Sequence, residues 1–468
     1  MEKKNGQIYT PKTVVQRMWA NVADDFRCKH VLDNSCGKGA FLVEIVRAYI
    51  ENWMTPENVE TIKTELETYI HGIEIDKEVY DQCIINLNAL VKEYGISDVR
   101  WDIVNADALN CSEYDGKMDY IVGNPPYIRV HDIIRHGNSD NYKKYSFMQK
   151  GMSDSFLAFF ELGLRQCKPD GKLAYIAPTS WFTSLAGQPF RELLSATHWL
   201  RSVIDLSGEN IFKGVTTYPA IVLLDKSKTS SSITYQLGDA TPIRLAYEEI
   251  TFDRKYYFGT ARELYLFGCI LKHANDEVDI KVKNGFATLA DKIFIDTYNC
   301  ASYSIPVLKA SRNVWKTAFY PYTKDGFLMR EDILRQNPDV NKFLTENRSA
   351  LSRRKIDNKD DAWYAYGRRQ AIGDVYHPKV AISALAKNKE GLKVEFVPSG
   401  SGVYAGLYVL INDLCTREFV YNAVISDDFI SYVKILRKYK SGGYYTFSSK
   451  DLEIFLKWKF SEIQNNCR

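Results

Sequence analysis

Residues 118–130 read MDYIVGNPPYIRV, an apolar run of strand character that ends in a glycine, an amide, two prolines and a tyrosine. A plain turn would account for the prolines, which lack the amide donor that a strand ladder needs. It would not account for the company they keep. The side-chain oxygen of Asn124 and the carbonyl of Pro125 are neighbouring acceptors that suit an NH2 group, and Pro126 stiffens the backbone that presents them. Tyr127 adds a flat face, worth about 1–3 kcal/mol to a stacked base. Together they describe a pocket for a flat molecule with an exocyclic amine.

Working outward, similar apolar runs occur at residues 30–34, 69–75, 101–107, 172–177, 200–206 and 219–224, and segments such as 39–53 and 154–167 carry helical periodicity between them. Strands alternating with helices predict a doubly wound α/β domain, a parallel sheet covered on both faces. In such sheets ligands bind at the carboxyl ends of the strands. The first end reads Asp33-Asn34-Ser35-Cys36-Gly37-Lys38-Gly39-Ala40-Phe41. Two glycines one residue apart let a ligand approach the backbone, although a lone G-x-G also serves as a mere tight connection. Neither a P-loop nor a full G-x-G-x-x-G fingerprint is present. The second end carries Glu74 and Ile75, and the third Asp107 and Ala108. A carboxylate in the second position can accept both hydroxyls of a ribose, and one in the third the amine of a purine. Singly, each is an ordinary solvated acid; in order, after a glycine turn, they fit an adenosine-containing cofactor. Residues 51–68 read as an inserted helix.

The whole chain has 468 residues, 45% hydrophobic and 25% charged, enough for two cores. The domain boundary is expected near Tyr247, dividing residues 1–246 from 247–468, because the strand rhythm weakens after the serine-rich stretch at 227–232. No apolar stretch approaches the roughly 20 residues of a membrane span, and the start lacks a signal-peptide centre, so a cytoplasmic protein is expected. Nine scattered cysteines, with no C-x-x-C pair, argue against disulfides or structural zinc. A net charge of +3 decides nothing about a polyanionic partner.

These residues resemble the amino-methylating DNA methyltransferases, specifically the N6-adenine enzymes of the gamma arrangement found in prokaryotic restriction-modification systems. The run from Gly6 through Tyr9 and Thr10 to Pro11 looks like that family's amino-terminal cofactor lid. The turn Asp33-Asn34-Ser35-Cys36-Gly37-Lys38-Gly39-Ala40-Phe41 is similar to its methionine-binding turn, and Gly123-Asn124-Pro125-Pro126-Tyr127 to its catalytic signature. Ser153-Asp154-Ser155-Phe156 and Pro169-Asp170-Gly171-Lys172 resemble the segments that follow. The stretch from Ile211 to Pro219 is similar to the one whose phenylalanine, here Phe212, packs on an extruded adenine. Pro306-Val307-Leu308-Lys309, His377-Pro378-Lys379-Val380 and Ser441-Gly442-Gly443-Tyr444 resemble landmarks of its target-recognition domain.

The resemblance implies a Rossmann-like catalytic domain followed by a mixed α+β target-recognition domain, which would close a DNA cleft against it. It implies S-adenosylmethionine as cofactor, held by Tyr9, Thr10, Asp33, Ser35, Cys36, Gly37, Gly39, Glu74, Ile75, Asp107, Ala108 and Asn124. Asn124, Pro125, Pro126, Tyr127 and Phe212 would serve the transfer to a flipped adenine, with no catalytic histidine and no metal. Basic clusters at Arg353-Arg354-Lys355, Arg368-Arg369 and Arg437-Lys438-Tyr439-Lys440 are candidates for phosphate contacts, although a charge run is usually a solvated face. The expected partners are double-stranded DNA, which a monomer would bind, and a cognate restriction endonuclease. The signature also suits a protein-glutamine or RNA-adenine methyltransferase, because glutamine offers the same NH2 group; the carboxy-terminal landmarks favour DNA. A nuclease fusion and an inactive DNA-binding module are the remaining alternatives.

Overall fold

The computed structural model describes residues 10–22, 25–135, 139–207, 218–227, 229–274, 277–298, 301–354, 362–440 and 442–466. The chain divides into two compact units, the first ending at Ala261 and the second beginning at Arg262. The division thus falls later than Tyr247. Tyr247 is buried, its ring stacks 4.4 Å from that of His198, and its hydroxyl bonds both the N–H and the carbonyl of Leu200 at 3.0 and 3.1 Å. The next turns follow it, since the Tyr256 hydroxyl donates to the carbonyl of Arg191 at 3.1 Å.

In the first unit α1 (Lys12–Val22) leads into β1 (Val31–Asp33), α2 (Ala40–Trp53), α3 (Val59–Tyr69), β2 (Ile70–Glu74), α4 (Lys77–Glu93), β3 (Asp102–Asn105) and β4 (Met118–Gly123). Short helices α5 (Val130–Arg135) and α6 (Ser139–Lys143) precede α7 (Phe156–Gln166), β5 (Cys167–Pro178), α8 (Gln188–Thr197), β6 (Leu200–Asp205), β7 (Pro219–Asp225), β8 (Ser232–Leu237) and β9 (Ile243–Ala246). All seven anticipated strands form. The inserted helix begins later than residue 51, because α2 runs on to Trp53 and α3 starts at Val59.

The strands make one sheet in the order β3-β2-β1-β4-β5-β7-β6-β8-β9. From β3 to β5 neighbours run parallel, but β7 lies antiparallel between β5 and β6. The expectation of a wholly parallel sheet is therefore corrected to a mixed one. The physical reason is that every residue of β7 is buried, so its sequence is a continuous apolar run whichever way it points. Strands β8 and β9 at the edge went unread because their alternate residues face solvent, which dilutes the apolar signal.

Strand order reverses between β1 and β4, and a crevice opens at such a switch point beyond the carboxyl ends of the strands. The core beneath it joins Phe41, Leu42, Ile45 and Val46 of α2 and Cys83, Leu87 and Leu90 of α4 with the sheet residues Val31, Ile70 and Val122. On the other face α7 buries Phe156, Leu157, Phe159 and Phe160. Helix α4 starts sharply because Asp76 accepts from the N–H groups of Glu78 and Val79 at 3.0 and 3.3 Å.

The second unit is itself α+β. It contains a four-stranded sheet of Val282–Asn284, Leu407–Leu410, Lys379–Ile382 and Val394–Val397, two three-stranded sheets, and helices that include Pro338–Ser352 and Ser449–Asn466. Its core gathers Phe286, Phe294, Phe319, Phe343 and Tyr366. The landmark Lys379 lies inside it, 1% exposed, donating to the carbonyls of Val375 and Ser401 at 3.3 and 2.9 Å. Burial lowers its pKa to about 8.

Candidate active site

At the end of β1 the chain turns through Asp33 and Asn34, both 1% exposed. Asn34 is fixed from behind, donating to Gln166 Oε1 and accepting from the Tyr175 hydroxyl, each at 2.8 Å. Asp33 Oδ1 accepts the N–H of Ser35 at 3.1 Å, while Asp33 Oδ2 and Ser35 Oγ, both buried, have no partner among the described residues. With little water and few donors around it, the Asp33 carboxyl is pushed up to about 8, chiefly by burial and further by the charge of Glu74. Gly37 and Gly39 adopt φ of +57° and +82°. A Cβ on Gly39 would also stand 2.9 Å from Cys83 Sγ, so this second glycine seats α2 against α4.

Glu74, at the end of β2, closes that turn. Its two carboxylate oxygens accept from Gly37 N at 3.0 Å and from Asp76 N at 2.8 Å, and each keeps a lone pair for a ligand. Burial raises its pKa, with the two backbone donors opposing. Asn105 carries the tie onward to β3 by donating to the carbonyl of Glu74 at 2.8 Å. There Asp107 accepts from Leu109 N, Asn110 Nδ2 and Asn141 Nδ2 at 3.0, 3.1 and 2.9 Å.

The end of β4 bears on the same space. Gly123 has φ of +155°, and a Cβ there would lie 2.7 Å from Asp33 Oδ1, so only glycine lets the two strand ends lie side by side. Asn124 Nδ2 donates to Thr10 Oγ1 at 3.1 Å. The Tyr127 hydroxyl stands 2.6 Å from Asn124 Oδ1 and 3.0 Å from the carbonyl of Ile176. A phenol has one proton for those two oxygens. Both contacts are served at once if the tyrosine donates to Ile176 and the Asn124 amide turns its NH2 toward the ring hydroxyl, leaving its oxygen toward Thr10. Ser155 pins the turn from below, accepting from Ile128 N at 2.8 Å and donating to the carbonyl of Pro126.

These strand ends enclose a cavity of about 470 Å³. Of the anticipated residues, Thr10, Ser35, Cys36, Gly37, Glu74, Ile75, Asp107, Ala108, Asn124 and Pro126 line it. Asp33, Gly39, Pro125 and Tyr127 stand behind the wall and shape it. Tyr9 and Phe212 lie outside the described residues. Phe41, which ends the anticipated glycine turn, lines the cavity as well, and so do Val79, Leu109, Ile128, Asn141, Tyr142 and Phe159, which were not anticipated. Val79 had a signal, since it follows a strand-end turn at the start of a helix. Asn141 and Tyr142 had none, since they come from a polar stretch that folds back from well beyond the catalytic turn.

The basic clusters separate by environment. Arg353 is exposed, whereas Arg354 donates to the carbonyls of Leu351, Trp363 and Ala365 at 3.1, 2.7 and 2.8 Å, donates to that of Thr288, and stacks on Phe294. Arg354 is a structural cation of the second unit, and burial lowers its pKa. Lys355 lies outside the described residues. Arg368 is exposed and Arg369 half-buried. Arg437 bonds the Tyr439 hydroxyl at 3.3 Å, Lys438 pairs with Asp451, and Lys440 is exposed.

A sheet wound in this order, with acids after β2 and β3 and an amide after β4, is the arrangement that the resemblance to Rossmann-like methyltransferases using S-adenosylmethionine implies. The residues present fit that cofactor: a glycine turn open to the cavity, two unpartnered buried polar atoms beside it, and carboxylates at two successive strand ends. Residues 43–212 match the Eco57I restriction-modification methylase family, and the chain is similar to type II methyltransferases. It is 22% identical to the type II restriction enzyme and methyltransferase RM.Eco57I of Escherichia coli, over 91% of this chain and 54% of that protein. It is 23% identical to the type II methyltransferase M.PaeR7I of Pseudomonas aeruginosa, over 76% of this chain and 68% of that one. Among solved structures, the type IIL restriction-modification enzyme MmeI in complex with DNA shares the fold, with a TM-score of 0.59 and 14% identity over 94% of this chain and 63% of that one. The chain therefore spans about half of RM.Eco57I and under two thirds of MmeI.

Proposed function

We propose that the protein is a site-specific DNA methyltransferase of the restriction-modification type that methylates N6 of an adenine turned out of the duplex. The observation that carries this reading is the convergence of Glu74, Asp107 and Asn124 on one cavity, which puts an amine-binding amide beside a nucleoside-binding pair of acids. S-adenosylmethionine, when bound, supplies an electrophilic methyl group. Everything else is positioning by the chain. Glu74 takes the ribose hydroxyls and Asp107 the adenine amine of the cofactor, while Ser35 and the turn around Gly37 receive its methionine end. Asn124 and the Pro125 carbonyl accept the hydrogens of the target NH2. This localises the nitrogen lone pair, and orientation of this kind can supply roughly 7–11 kcal/mol of a barrier.

Turning a base out of the duplex costs a few kcal/mol. The Tyr127 ring and the phenylalanine at 212 are our candidates for the protein faces that receive it. Because the Tyr127 hydroxyl also holds Asn124, the residue has two separable duties. The exposed cations Arg353, Arg368 and Lys440 of the second unit are suited to phosphate contacts that position DNA without reading its sequence.

The reading is tested by sequencing, with base-modification detection, the DNA of a host expressing the protein or its Asn124→Ala variant. N6-methyladenine at one short motif, present with the wild type and absent with the variant, is the expected result. Unmodified DNA together with methylated protein or RNA would overturn it. Asn124→Ala should keep cofactor affinity, since the amide acts mainly in the transition state.

A further inference from the structure

Asp107 is held from two sides. Leu109 and Asn110, which donate to it, belong to its own turn, but Asn141 belongs to α6, far along the chain. The segment around Asn141 is clamped on that turn by two further bonds: Lys144 Nζ to Asn110 Oδ1, and the Tyr145 hydroxyl to the carbonyl of Leu109, each at 2.9 Å. Tyr142, next to Asn141, lines the same cavity. Its hydroxyl has no hydrogen-bond partner among the described residues, and burial, followed by the nearby charge of Asp107, raises its pKa to about 12. A phenol kept protonated beside a carboxylate, and opening onto a cavity, is a donor in search of an acceptor on a ligand.

The edge of adenine that bears the 6-amino group presents that donor beside a ring nitrogen that accepts. We propose that Asn141 and Tyr142 complete the adenine-reading wall of the cofactor pocket, Asn141 holding the Asp107 carboxylate to accept the amino group and the Tyr142 hydroxyl donating to the neighbouring ring nitrogen. Asn141 is thus a positioning residue and Tyr142 a specificity residue. Hypoxanthine places a carbonyl oxygen against the acceptor-only carboxylate of Asp107 and a ring N–H against the Tyr142 hydroxyl, which can meet it only by turning its own proton away from the base. Asp107 therefore sets the base identity, and the Tyr142 hydroxyl adds to a preference that the carboxylate alone would set less sharply. The inference rests on the reading of this cavity as an S-adenosylmethionine site.

Calorimetric titration of the full chain with S-adenosylhomocysteine and with its deaminated analogue, S-inosylhomocysteine, tests it. Tyr142→Phe, which keeps the ring, should weaken S-adenosylhomocysteine about tenfold, the effect of one lost hydrogen bond, and weaken the inosyl analogue by clearly less. Asn141→Ala should also narrow the preference, by several-fold, since Asp107 then loses one of its fixed donors. A merely structural role would weaken both ligands equally, and that result, or unchanged S-adenosylhomocysteine binding by Tyr142→Phe, overturns the proposal while leaving the site reading intact. A wild-type protein that binds neither ligand overturns the site reading and the proposal with it.

Discussion

Asp33→Asn tests whether a buried carboxyl at the heart of the site holds a proton. In the folded chain this group titrates at about 8, against 3.8 for an ordinary aspartate, because burial removes the water that would solvate its charge. An acid whose pKa is raised by folding contributes stability that is complete below the ordinary value and is lost as pH climbs through the raised one. Linkage makes the loss about 1.4 kcal/mol per pH unit, so the window from 3.8 to about 8 spans at most roughly 6 kcal/mol. Only its upper end is convenient to measure. Between pH 7 and 9 the wild type should lose about 1.4 kcal/mol through Asp33, which for a unit of this size is about 3–6 °C of melting temperature. In the Asp33→Asn variant the side-chain amide keeps an oxygen for the N–H of Ser35 and has nothing to titrate. The assay is thermal unfolding of full-length wild type and variant at pH 6, 7, 8 and 9, following the transition that S-adenosylhomocysteine displaces. The stability difference, variant minus wild type, should grow by that amount across pH 8. A difference that stays flat from pH 6 to 9 would refute the argument and return Asp33 to an ionised state.

Glu74→Ala should weaken cofactor binding at least tenfold and also destabilise the first unit by about 1–3 kcal/mol for each backbone donor, Gly37 N and Asp76 N, left without its acceptor; calorimetry showing unchanged affinity would remove Glu74 from the site. Gly123→Ala combines an unfavourable φ of +155° with a 2.7 Å approach to Asp33, so denaturant unfolding should register a loss of about 2–4 kcal/mol, and a loss below about 0.5 kcal/mol would show that the two strand ends are not so close. Arg353→Ala should leave stability alone and flatten the salt dependence of DNA binding by about one phosphate contact, weakening all sequences alike. Arg354→Ala should instead destabilise the second unit by several kcal/mol, because its guanidinium serves four carbonyls; an Arg354→Ala chain that melts normally yet binds DNA poorly would reverse the two assignments.

Much of this was legible in the residues because local chemistry is written locally. An apolar run closed by Gly123-Asn124-Pro125-Pro126 announces a strand that ends in acceptors, and the glycines at 37 and 39 announce a turn that bulkier residues would strain. Seven strands and the strand-end acids Glu74 and Asp107 followed from period and position alone. Strand direction did not, because β7 is buried on both faces and burial is blind to direction. Nor did the divided fate of Arg353 and Arg354, adjacent in sequence, one in solvent and the other turned inward to four carbonyls and the face of Phe294. The inward turn of the Tyr127 hydroxyl onto Ile176, and the arrival of Asn141 at Asp107, depend on backbone groups and side chains distant in sequence. Such contacts leave no periodicity to read; they exist only where the folded sheet brings the ends of different strands within hydrogen-bond reach.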